Sequence, residues 1–154
     1  MITDNNPSLM IEDELSKYGT YATNTVGTSM RPLFKTHRDV AVLKKPDRAL
    51  KKYDVVLYTG QSHKYILHRI IGVREECFII RGDNTFVKEY VSRDRVLAYL
   101  VSFNRKEKHH SADDFGYKLY SRFWNFIYPI RYFAHLLRRI LGKIKRTVLR
   151  RREK

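Results

Sequence analysis

The sequence predicts a mainly β fold: a bent antiparallel sheet or small barrel, with a short N-terminal helix and a basic amphipathic helical tail. Three observations predict it. Short runs rich in β-branched and aromatic residues recur between Tyr21 and Phe103, each bounded by Pro, Gly, Asp or charged clusters. A polar stretch, residues 104–116, separates these runs from the C-terminal segment. Within that segment, apolar residues recur at steps of three and four, the spacing of one helix face.

The first element is a short helix. In residues 10–18, Met10, Ile11, Leu15 and Tyr18 keep a helical period. Strands are expected over Tyr21 to Val26, Val40 to Leu43, Val55 to Tyr58, Tyr65 to Val73, Phe78 to Ile80 and Val96 to Phe103. Such close spacing favours antiparallel pairing. These elements make a first domain, 1–103, and residues 104–116 read as a polar linker. Residues 117–154 form the tail, helical but split or kinked at Pro129. In its second half Ile130, Phe133, Leu137, Ile140, Leu141, Ile144 and Val148 share a face, with Arg131, Arg138, Arg139 and Lys143 mostly between them. That is the pattern of a helix lying flat in a lipid interface.

Composition narrows the function. With 43% hydrophobic residues among 154, the chain can bury a core. One cysteine, Cys77, excludes an internal disulfide and any cysteine-based metal cluster, and its apolar run suggests a buried, inert thiol. The net charge is +15, and twelve of the 31 Lys/Arg fall in residues 117–154 beside a single acid, Glu153. This asymmetry calls for an anionic partner. The apolar stripe favours a membrane surface, met by Trp124, Arg131, Arg138, Arg139 and Lys143, over nucleic acid. Residues 1–15 show no basic-then-apolar leader, and the longest uncharged stretch of the tail, Phe123 to Ile130, is far short of the roughly 20 residues of a span. A peripheral membrane or cytoplasmic location is expected. His63 sits in a turn, and His109 and His110 lack cysteine partners, so neither place suggests a metal.

Three segments carry possible chemistry. In Gly27-Thr28-Ser29-Met30-Arg31-Pro32 a glycine turn presents a serine after a strand, as a nucleophile requires. His68 lies within the apolar run Tyr65 to Ile71, and Gly82-Asp83-Asn84 comes after the run ending at Ile80. Singly, each is ordinary structure: a turn, a strand histidine, a turn.

Their order and spacing resemble the signal peptidase family, whose fold is shared with the LexA-type repressors. The Ser-Met-x-Pro box is Ser29-Met30-Arg31-Pro32. The Gly-Asp-x-Val-Val strand is matched by Tyr53-Asp54-Val55-Val56, with Tyr53 in the glycine's place. The base-Arg-Val-Ile-Gly strand is matched by His68-Arg69-Ile70-Ile71-Gly72, and the Gly-Asp-Asn box by Gly82-Asp83-Asn84. The resemblance covers Thr25 to about Val101. It implies a serine endopeptidase of signal- or leader-type peptides, needing no cofactor or metal, with Ser29 as nucleophile. His68 stands where bacterial-type members carry lysine, so the chain looks like the histidine branch found in archaeal, ER and sporulation-type members. Asp83 would assist His68, with Glu89 and Asp94 as the other acids in range. The Ser29 N–H would meet the oxyanion; Gly27 stands where some relatives place a second donor, a serine hydroxyl, and Thr28 is adjacent. The resemblance further implies small substrate residues at the first and third positions before the cut. Adjacency suggests Met30, Leu33 and Ile66 for the pockets receiving an extended peptide or preprotein. The other reading is a LexA-type regulatory or peptide-docking module that does not cleave in trans.

Overall fold

A computed structural model describes residues 7–61 and 64–152, with side chains described over 11–61 and 64–143. His63, and the side chains of Met10, Ile144 and Val148, lie outside the described residues. The chain runs α1 (Pro7–Tyr18), β1 (Thr20–Asn24), β2 (Val40–Lys44), β3 (Val55–Thr59), β4 (Tyr65–Val73), β5 (Cys77–Arg81), β6 (Glu89–Ser92), a 3₁₀ turn at Arg93–Arg95, β7 (Val96–Arg105), β8 (Lys108–Ser111), α2 (Phe115–Phe126) and α3 (Tyr128–Arg152). The strands form one antiparallel sheet in the order β1-β2-β7-β3-β4-β5-β6, with β8 on β7. The sheet is open, which decides between bent sheet and barrel. Register shifts bend it at Val42/Leu43, Leu57/Tyr58 and Ile70/Gly72.

The central strand β3 explains the two cores. Successive strand residues point to opposite faces. Val55 and Leu57 pack with Leu15, Met30, Leu33, Phe34, Leu43, Leu100 and Phe103 on one side. Val56 and Tyr58 pack with Ile70, Phe78, Ile80 and Val91 on the other. A strand covered on both faces reads as a continuous apolar run, here VVLY. Just before it, Tyr53 adopts φ 82° where the family pattern has glycine, and its N–H is held by the Ile70 carbonyl at 2.8 Å.

Residues 104–116 contain the β7–β8 hairpin and the start of α2. Phe103 to Arg105 pair with Lys108 to His110, and the turn residues Lys106 and Glu107 have φ of 49° and 64°. Two successive left-handed residues make the twist a two-residue hairpin needs. Neither is Gly, Asn or Asp, so the turn carries no sequence signal. The C-terminal helices contact the body through α2. Tyr117 and Tyr120 of α2 pack on the first core, and Ser121 is fully buried. The break falls at Ile127, and Pro129 sits in the first turn of α3, where a missing N–H costs nothing. Cys77 is half-buried at the start of β5 rather than deeply buried.

Candidate active site

The serine loop is built between β1 and β2. Gly27 takes φ 90°, a conformation that disfavours any side chain, and turns the chain out of β1. Met30, Leu33 and Phe34 then drop into the first core. The base of the loop is tied by Asp39, which is fully buried. Its carboxylate takes the Arg38 guanidinium at 2.6 and 2.8 Å and the Lys35 N–H at 2.8 Å, and its carbonyl takes the Thr25 N–H at 3.0 Å. Ser29 is left half-exposed at the rim. Among the described residues neither its N–H nor its hydroxyl has a hydrogen-bond partner. The N–H is thus free to meet an oxyanion.

His68 comes from β4 and is 7% exposed. Its Nδ1 lies 3.2 Å from the Tyr58 hydroxyl and 3.3 Å from Glu89 Oε1. With the proton on Nδ1, donated to the Glu89 carboxylate, Nε2 keeps its lone pair. Gly82 locates Nε2 relative to the serine loop. A Cβ on Gly82 would stand 2.7 Å from the Ser29 carbonyl oxygen and 2.9 Å from His68 Nε2. The serine backbone and the imidazole therefore converge on one bare α-carbon. No hydrogen bond joins the Ser29 hydroxyl to Nε2; such bonds often close only around bound substrate. The Gly82-Asp83-Asn84 turn also holds the loop directly, since the Asn84 N–H donates to the Ser29 carbonyl at 2.7 Å and its side-chain amide to Thr28 O at 3.2 Å.

The Asp83 carboxylate is bonded to Arg69 and makes no hydrogen bond to His68. Its oxygens take Arg69 Nε at 2.8 Å and the Arg69 terminal nitrogen at 2.7 Å, and the Tyr120 hydroxyl adds a third bond at 2.9 Å. The reason is the period of a strand: His68 and Arg69 are neighbours on β4 and face opposite ways. An aspartate committed to Arg69 leaves the imidazole to an acid from β6, and that acid is Glu89. Arg69 is fully buried and also donates to Tyr53 O, Tyr117 Oη and Ser121 Oγ. Burial opposes its charge, but Asp83 and the two phenols more than offset this, and its pKa lies above the ordinary arginine value. Asp94 sits exposed in the 3₁₀ turn, with no hydrogen bond or ion pair to His68.

A groove of about 360 Å³ leads to Ser29. Thr23 to Gly27 form one wall, Tyr65, Ile66 and Leu67 the other, and Met30 and Phe34 part of its lining. Ahead of Arg69, β4 pairs only with β3, so the outer edge of Ile66 and Leu67 carries no strand. Met30 and Ile66 both line this groove. Leu33 does not line it; it is 3% exposed and packs in the first core. Trp124 and Arg131 are bonded to the body. The indole N–H and the Arg131 guanidinium both donate to the Asp83 carbonyl at 2.8 Å, and the guanidinium lies 3.8 Å over the indole ring. Arg138, Arg139 and Lys143 remain exposed on α3.

Burial lowers the His68 pKa, opposed by Glu89 and more weakly by Asp83. A histidine whose folded pKa is depressed is neutral above its ordinary value near 6.5 and protonates only as pH falls through the lower, folded value. Glu89→Gln removes the largest opposing charge and keeps an acceptor for Nδ1–H. The His68 titration, followed by its Cε1–H proton resonance, is expected to move to lower pH. An unchanged titration would show that Glu89 does not act on the ring.

The fold and site describe a β scaffold with a half-exposed serine, a buried strand histidine and a groove lined in part by the serine. Compared with known proteins, the chain is similar to signal peptidase I V of Bacillus subtilis strain 168, at 29% identity over 94 residues, 60% of this chain and 55% of that protein. It thus spans about half the length of the curated relative it matches. No family model matches, and no solved structure matches.

Proposed function

We propose that this protein is a serine endopeptidase that cleaves signal- or leader-type peptides at a membrane surface. The convergence of the Ser29 loop and His68 Nε2 on Gly82, at the end of the groove, carries the reading. The similarity to a signal peptidase supports it. Ser29 Oγ attacks the scissile carbonyl. Its proton passes to His68 Nε2 and then to the leaving amine as the C–N bond breaks. A water deprotonated by the same nitrogen then attacks the Ser29 ester, and the proton returns to Oγ as the acid product leaves. Glu89, rather than Asp83, holds Nδ1–H and stabilises the imidazolium. The Ser29 N–H meets the oxyanion. The substrate enters as a strand along the outer edge of Ile66 and Leu67, with small side chains toward Met30 and Ile66.

The membrane surface is read from α2 and α3. Leu119, Phe123, Phe126, Ile130, Phe133, Leu137 and Ile140 are all exposed and recur at steps of three and four across both helices. These exposed apolar residues on both helices fit burial in a lipid interface. Among the described residues no helix is long and apolar enough to cross a membrane.

The test is cleavage of a library of leader-like peptides by the purified protein and by Ser29→Ala. Wild type is expected to cut peptides with small residues before the cleavage point, and the variant to leave them intact. Equal cleavage by both ends the proposed mechanism; binding without cleavage by wild type would support the docking-module reading.

A further inference from the structure

A second cleft, of about 340 Å³, opens between the end of β5 and the α2–α3 junction. Lys52, Arg81, Lys88 and Arg122 line it, and no acidic residue does. Among the described residues none of these four cations forms an ion pair. Arg81 is the unusual member, only 5% exposed. A buried guanidinium ordinarily has a carboxylate partner. Arg81 has instead one bond to Asn125 Oδ1 at 3.1 Å and the Tyr128 ring at 3.4 Å. The nearby Asp83 carboxylate is already committed to Arg69. Burial disfavours the Arg81 charge and outweighs the support it receives from Tyr128 and, more weakly, from Asp83; Arg131 adds a small opposing effect. A planar fork with donors to spare, flanked by three more cations, matches the oxygens of a phosphate.

The position of the cleft narrows the source. Phe126 lines it, is 80% exposed and is one of the exposed apolar residues of α2 and α3. A phosphate seated on Arg81 would thus lie beside the side chains that enter the acyl region. We propose that this cleft binds the phosphate of an anionic phospholipid headgroup, an inference that rests on the membrane-surface reading and gives it a defined lipid site.

The test titrates the full chain calorimetrically with dihexanoyl phosphatidylglycerol below its critical micelle concentration. Parallel titrations use dihexanoylglycerol, which has the same chains without phosphate, and inorganic phosphate. Saturable binding of one lipid per chain is expected. Lys88→Ala/Arg122→Ala, both surface positions, should weaken it about tenfold or more, as loss of two charged donors implies. Arg138→Ala/Arg139→Ala, the same charge change further along α3, should leave it within about threefold. Equal losses in the two double variants would overturn the site in favour of diffuse attraction. Equal affinity for dihexanoylglycerol would reduce it to apolar contact, and equal affinity for inorganic phosphate would reassign it to a free anion. Large phosphatidylglycerol vesicles separate the two levels. A protein that binds vesicles but not the short-chain lipid keeps the membrane reading and loses the site. Peptide cleavage by Ser29 is read independently of both.

Discussion

Asp83→Ala is expected to destabilise the protein by about 3–5 kcal/mol, the range for removing one partner of a buried ion pair. For a chain of this size that is a fall of roughly 10 °C in Tm. The side chains of Arg69 and Asp83 are 0% and 2% exposed, and two bonds of 2.7–2.8 Å join them. Without the carboxylate a full positive charge stays in the interior, with only neutral oxygens from Tyr53, Tyr117 and Ser121 around it. The Tyr120 hydroxyl also loses its acceptor. Replacing both members by apolar residues, Arg69→Met with Asp83→Leu, should recover most of the loss, because no charge is then buried. Thermal denaturation of the two single variants and the double variant measures this directly. An Asp83→Ala protein as stable as wild type but unable to cleave would place Asp83 in the chemistry instead of the scaffold.

Gly82→Ala is expected to have the opposite profile, with cleavage reduced about a hundredfold or more and a much smaller loss of stability. The added methyl would meet the Ser29 carbonyl oxygen at 2.7 Å and His68 Nε2 at 2.9 Å. The first of these is backbone and cannot rotate away, so the serine loop must move off the imidazole. Misplacement of reacting groups by about 1 Å can cost two orders of magnitude. Gly116→Ala is the control, since a Cβ there meets nothing within 4 Å. The measurement is kcat/KM on whichever peptide the wild type cleaves, alongside Tm. Unchanged kcat/KM in Gly82→Ala would mean that the Ser29 loop and His68 do not work as a pair.

The two variants separate roles that the Gly-Asp-Asn box combines within adjacent residues. Gly82 leaves room where the serine loop meets the histidine. Asp83 turns away to hold Arg69 and, through Tyr120, Trp124 and Arg131, fixes α2 and α3 to the body. Asn84 returns to hold the Ser29 carbonyl. The helices are therefore mechanically close to the candidate site, although the similarity to a signal peptidase covers only 60% of the chain.

The strand runs are legible in the sequence because each buried face is written in β-branched and aromatic residues at fixed period. Tyr65–Val73 is found with its expected boundaries, and the other expected strands are found with small shifts at their ends. β6 and β8 are not legible. Their sequences, EYVS and KHHS, belong to edge positions with little buried surface, so no apolar pattern marks them. The serine turn, the strand histidine and the glycine of the box are each visible as residues, since turns and backbone approach demand particular side chains.

The sequence by itself therefore determined the strand pattern, the presented serine, the histidine on its strand and the amphipathic, basic character of the C-terminal helices. Tertiary structure alone decided which acid lies nearest His68 Nδ1, that Trp124 and Arg131 bond the body, and that Arg81 is buried without an ion pair among the described residues. The physical reason is range. Period and turn chemistry are local, carried by neighbours in the chain. Ion pairing is settled by which strands and helices come together, and residues such as His68 and Glu89 are far apart until the sheet has formed.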